Sequence, residues 1–106
     1  MINRLEKLKE MEQASPGDTF LKFAIALEYM SSNKEESIRL FELILHQTPT
    51  YIPTYYQLGK LHEEMDNRKR AVEVYRLGMK QSEAASEKKT LRELQEALES
   101  IEHEQE

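Results

Sequence analysis

The signals that stop and start a helix recur in this chain at one interval, and so do the side chains between them. Pro16, in Ser15-Pro16-Gly17-Asp18, and Pro49, in Thr48-Pro49-Thr50, lie 33 residues apart. Asn33 and Asn67, both of a residue type that caps helix N-termini, lie 34 apart. The steps Ser37 to Phe41 and Ala71 to Tyr75 each place a ring four residues after a small side chain, and they too are 34 apart. Turns, caps and packing residues that recur together mark an internal repeat of a helical supersecondary unit, which buries its apolar face only against a neighbour.

Six helices are expected between these punctuation marks. The first covers about 2–14, with Ile2, Leu5, Leu8 and Met11 on one stripe and Pro16-Gly17 beyond its end. The second, about 19–31, follows Asp18; the third, about 34–47, opens with Asn33 and Glu36 in capping-box spacing. The fourth, about 53–65, has Pro53 in its first turn, where a missing N–H is harmless. The fifth, about 68–82, follows Asn67, with Arg68, Lys69 and Arg70 opposing the helix dipole. The sixth, about 87–103, starts after Ser86 and carries Leu91, Leu94, Leu98 and Ile101 on one stripe.

Residues 55–75 read Tyr55-x-x-Leu58-Gly59-x-x-His62, then Ala71-x-x-x-Tyr75. This resembles the tetratricopeptide (TPR) helix-turn-helix repeat, in its small bacterial two-repeat form. Tyr55 stands where the family favours tryptophan and His62 where it favours tyrosine; Gly78 replaces the preferred alanine and Glu83 the preferred proline. The first repeat is looser, with Ser37, Phe41, Ile44 and Pro49 fitting its second half. Pairing Ile25, Ala26 and Tyr29 with Leu58, Gly59 and His62 sets small on small and ring on ring. The resemblance implies an all-α helix-turn-helix repeat in one domain. Residues 1–17 would be a flanking helix, 18–51 and 52–84 the two repeats, and 85–106 a capping helix. Gly59 would let the fifth helix approach the fourth, and a large side chain there would overpack the contact by about 1–3 kcal/mol.

Composition narrows the function. A chain of 106 residues suffices for one domain, and with no cysteine it forms no disulfide, which fits a reducing compartment. No apolar run is long enough for a signal peptide or a membrane span, so a cytoplasmic protein is expected. Residues 1–82 hold twelve acidic and twelve basic side chains, whereas 83–106 hold eight acidic against Lys88, Lys89 and Arg92. The net charge of −5 therefore sits on the last segment, and it argues against nucleic acid, which needs a net basic face. The cluster Arg68, Lys69, Arg70, Arg76 and Lys80 reads as a solvated helix face, screened by the acidic last helix.

Catalytic constellations are missing. His46, His62 and His103 fall on three different helices, His62-Glu63-Glu64 lacks a second histidine four residues on, and the glycines are isolated. No cofactor, metal or enzymatic activity is expected. His62 is expected in the core, His46 at the end of the third helix and His103 in solvent.

In the TPR family the first helix of each pair lines a concave groove, so the resemblance points to the second and fourth helices. The fourth would turn Tyr55, Leu58, Gly59, Leu61, His62 and Met65 to the core and Tyr56, Lys60, Glu63 and Glu64 to the groove. The second is apolar nearly all round, broken only by Lys22 and Glu28. Either its neighbours bury it, or Phe23, Leu27 and Met30 line a mixed apolar groove beside Tyr56 and Lys60. The reading is a protein-protein interaction module that grips a peptide or protein segment of unspecified identity. Phe23 and Tyr56 would supply apolar contact, while Lys22 and Lys60 would read an acidic group. With only those two lysines and no groove asparagine, the chaperone-tail clamp of one TPR subset is not expected. The alternative is self-assembly, as a homodimer or larger, through the second-helix patch or the stripe of the sixth.

Overall fold

The structure, a computed structural model, describes residues 2–104. Among them are six helices and no strand: α1 (Arg4–Ala14), α2 (Thr19–Tyr29), α3 (Lys34–Gln47), α4 (Pro53–Glu64), α5 (Arg68–Ala84) and α6 (Lys88–Glu104). Local chemistry sets the starts. Asn3, Asp18, Asn33 and Asn67 each accept a hydrogen bond from the backbone N–H three residues on, at 2.8–3.4 Å. Pro53 opens α4 with no side-chain cap. The capping box expected at Asn33 forms by half. Glu36 turns forward to the Arg39 guanidinium at 3.0 Å, and the Asn33 N–H goes to the Tyr29 carbonyl at 2.7 Å.

Two of the ends use a left-handed residue that is not glycine. Asp66 has φ 61° and Ser86 φ 59°. Past them, the N–H of Asn67 reaches the His62 carbonyl at 2.7 Å, and that of Glu87 reaches Ser82 at 2.8 Å. The N–H groups of Asp66 and Ser86 bond Glu63 and Glu83, which completes the Schellman pattern at both sites. Ser86 therefore finishes α5, and α6 begins at Lys88 rather than directly after a Ser86 cap.

The chain divides into two compact units, Met1–Tyr51 and Ile52–Glu106. In the first, α2 packs against both α1 and α3. Leu8, Leu21, Ala24 and Ile25 form a core on which Leu5, Tyr29 and Leu40 rest. Ala26 and Ser37 are wholly buried, and the Ser37 hydroxyl donates to the Ala26 carbonyl at 2.7 Å. The closeness of these two small residues lets α2 and α3 approach. The α1 stripe is only half used: Leu8 is buried and Leu5 half-buried, but Met11 and Ile2 stay exposed at 47% and 56%.

In the second unit α5 packs against both α4 and α6. Two rings and two glycines interlock. A methyl group added at Gly59 would sit 2.2 Å from the Tyr75 ring, and one at Gly78 would sit 2.5 Å from Tyr55 Cβ. Each helix thus sets a tyrosine into a gap that only glycine leaves open, which offsets roughly 1 kcal/mol of lost helix propensity per glycine. Leu58, Leu61, Val74 and Leu94 are fully buried around them, each contributing about 1.5–3 kcal/mol of transfer free energy. The stripe of α6 closes the unit, with Leu94, Leu98 and Ile101 buried and Leu91 half-buried. Met65, expected in the core, is 41% exposed, because it lies at the α4 C-cap and points past the last packed turn.

Candidate partner-binding surfaces

The α4 face of the second unit is a linked set of side chains. Tyr56 and Lys60, four apart, share a helix face, and the Lys60 ammonium lies 5.5 Å from the Tyr56 ring centroid. Lys60 Nζ is 3.7 Å from Glu63 Oε2, a loose pair between half-exposed groups. The same carboxylate oxygen accepts the Tyr75 hydroxyl from α5. Burial, reinforced by the Glu63 carboxylate, pushes the Tyr75 phenol well above its ordinary value, so it stays a donor. Glu63 is thereby held from below, while Glu64 is exposed. Sequence reasoning put Tyr56, Lys60, Glu63 and Glu64 on one face but missed Tyr75, whose hydroxyl fixes the carboxylate. Tyr75 read as a packing ring, and nothing in its spacing disclosed where its oxygen ends.

The α2 face of the first unit is apolar. Phe23, Leu27 and Met30 recur at i, i+4 and i+7 and therefore lie on one side of the helix. Phe23 packs its ring at 5.6 Å from Phe41 and 5.4 Å from Tyr51, which leaves it half-buried. Leu27 is 38% exposed and Met30 half-buried. Phe20, one turn before Phe23, is 62% exposed and widens the same stripe. It was not among the expected site residues, although the i, i+3, i+7 spacing of Phe20, Phe23 and Leu27 contains it. Lys22 is not brought to this stripe. It turns toward α3, where its ammonium donates to Gln47 at 3.3 Å. Neighbours thus bury α2 on the α1 and α3 sides and leave one apolar strip uncovered.

The remaining polar features are structural. His62 is buried, with its Nδ1 3.5 Å from the Asn67 amide nitrogen, while His46 and His103 are exposed near helix ends. Among the described residues, no group of three or more His, Cys, Asp or Glu side chains could hold a metal ion. Nor is any helix there long and apolar enough to cross a membrane. Acidic α6 does screen basic α5: Glu102 pairs with Arg76 at 3.3 Å and Glu104 with Arg68 at 3.6 Å.

No family model matches the chain, nor does any curated protein. Solved structures do. A tetratricopeptide repeat domain protein from Salinibacter ruber, solved in solution, is 35% identical with a TM-score of 0.79, the match covering 83% of this chain and 90% of that one. This chain belongs to the tetratricopeptide repeat family. The crystal structure of the S. ruber domain agrees, at 34% identity and a TM-score of 0.77, over 81% of this chain and 97% of that one. A protein from Bordetella parapertussis shares the fold at 21% identity and a TM-score of 0.85, over 98% of this chain and 91% of that one. Membership in the TPR family makes the chain, in general terms, a protein-interaction module.

Proposed function

We propose that this TPR protein is a non-catalytic adaptor that binds a segment of another protein, each unit offering one candidate contact face. The α2 face offers Phe23, Leu27 and Met30, with Phe20 at its edge; the α4 face offers Tyr56, Lys60, Glu63 and Glu64. The observation that carries the reading is the α4 cluster. Tyr75 anchors Glu63, Glu63 and the Tyr56 ring steer Lys60, and the ammonium is presented at a fixed place on the surface. At 3.7 Å its pair with Glu63 is loose enough for a partner carboxylate to join. Tyr56 supplies a ring that offers both area and a hydroxyl, a combination enriched where proteins meet. Contact areas this small correspond to micromolar binding, about −8 kcal/mol.

Tyr56→Ala combined with Lys60→Glu abolishes capture of the physiological partner from lysate, and Leu27→Glu weakens it. All of these side chains are at least partly exposed, so helicity and melting temperature change little. Capture by the double variant at the wild-type level would remove the α4 face from the proposal. Burial of Leu94, Leu98 and Ile101 in the second unit speaks against self-assembly through the α6 stripe. Its α2 version predicts association that rises with concentration and is lost in Leu27→Glu, which sedimentation velocity reads directly.

A further inference from the structure

Lys22 has a place of its own. It lines a cleft of about 370 Å³ in the first unit, walled by α1 and α3 over the side of α2 away from the Phe23 stripe. Ile25, Leu40 and Leu43 supply apolar lining, with the Tyr29 ring beside them. Each helix brings one cation to the cleft: Lys9 from α1, Lys22 from α2 and Arg39 from α3. The carboxylates there are Glu12 and Glu36. Glu36 is bonded to Arg39, whose guanidinium holds its carboxyl below the ordinary range. Lys9 also interacts with Glu36 and with Glu6 of its own helix, but the cleft lining itself sets three cations against two carboxylates and so keeps one excess positive charge in a chain whose net charge is −5. The Tyr29 ring is not open to a stacked base, because the Lys9 ammonium already lies 5.2 Å from its centroid.

We propose that this cleft seats an acidic peptide segment of a partner protein, with one leucine-sized side chain on Ile25, Leu40 and Leu43 and flanking carboxylates against Lys9 and Lys22. The volume lies at the small end of the roughly 300–1,000 Å³ range of binding pockets, which suits one side chain and its flanks rather than a whole helix. Charge complementarity chooses an acidic segment over a basic one. The assignment does not rest on the α4 face, since Tyr56 and Lys60 belong to the other unit.

The probe is a fluorescein-labelled peptide in which single leucines alternate with pairs of aspartates, titrated with the full chain and followed by anisotropy. The variant carrying Lys9→Gln, Lys22→Gln and Arg39→Gln binds it at least about tenfold more weakly than wild type, the sum expected for two lost ion pairs and for the Glu36 carboxylate that Arg39 no longer neutralises. A charge-matched variant with Lys69→Gln, Lys88→Gln and Lys89→Gln, all exposed in the second unit, stays within about twofold of wild type under the same low-salt conditions. Circular dichroism confirms that both variants are folded, and in the wild type the amide resonances of Ile25, Tyr29 and Leu40 shift on binding. The proposal is overturned if wild type does not bind the probe, if both triple variants weaken it equally, or if the shifts fall on α4. It is also overturned if wild type self-associates and only the cleft variant stays monomeric, because the occupant would then be a second copy.

Discussion

Glu63 joins the surface of the second unit to its core through a single oxygen. Oε2 accepts the Tyr75 hydroxyl and lies 3.7 Å from Lys60 Nζ, so a buried donor and an exposed cation share one charge. Tyr75 is itself fully buried, and burial first, then Glu63, holds its phenol above the ordinary value. In the unfolded chain a tyrosine ionises near pH 10, while folded Tyr75 keeps its proton. Unfolding therefore releases a proton above that pH, and stability present in full below it is lost as pH rises further. Wild type accordingly becomes easier to unfold in urea between about pH 9 and 11. Tyr75→Phe is less stable by about 1 kcal/mol at neutral pH, having lost one hydrogen bond, but falls less steeply with alkali. Some slope remains in the variant, because burial also raises Tyr51 and Tyr55. Equal slopes in the two proteins would show that Tyr75 ionises normally. Sequence reasoning reached Lys60 and Glu63 but not this linkage, since helical periodicity fixes a side chain's direction and not its terminal atoms.

The helices were legible where their ends depend on one local side chain. Asn33 and Asn67 cap α3 and α5 as their spacing implied, because the cap bond runs only three residues along the chain. Ends set by backbone conformation were not legible. Glycine is the usual sign of a left-handed stop, yet here Asp66 and Ser86 occupy that conformation, and Ser86 was read as a helix start. Serine in this region carries a Cβ penalty of roughly 1–2 kcal/mol, part of which glycine recovers and part of which it returns through unfolded-state entropy. Ser86→Gly is thus expected to stabilise the protein by about 0.5–1 kcal/mol, read as a higher denaturation midpoint with unchanged slope. Asp66→Gly gains less, since aspartate adopts this conformation more readily. A loss of stability in Ser86→Gly would mean that the serine side chain supports the α5–α6 turn.

Across the whole chain, burial is unequally shared, and this governs which parts open first. Gly59, Ala71 and the rings at Tyr55 and Tyr75 made the second repeat recognisable; Ala71 is wholly buried, and Gly59 and the two rings, with Gly78, interlock α4 and α5. The first repeat showed fewer such pairs, and the α1–α3 cleft could not be seen at all, because nothing in periodicity tells how far α1 covers its neighbour. Lys22 illustrates the limit: it adjoins Phe23 in sequence, but about 100° of helical rotation separates them, enough to send it to another surface. Leu8 is the single fully packed side chain of α1, whereas α5 buries Ala71, Val74, Tyr75, Gly78 and Ser82. Native-state hydrogen exchange follows local contact and burial, so α1 amides exchange well before those of α5, through an opening far smaller than global unfolding. Because α1 forms one wall of the cleft, occupancy by the aspartate–leucine peptide also slows exchange along α1 while leaving α5 unchanged. Similar protection of α1 and α5 in the free protein would mean that α1 is held by more than Leu8, and that the cleft is a rigid feature rather than one a ligand tightens.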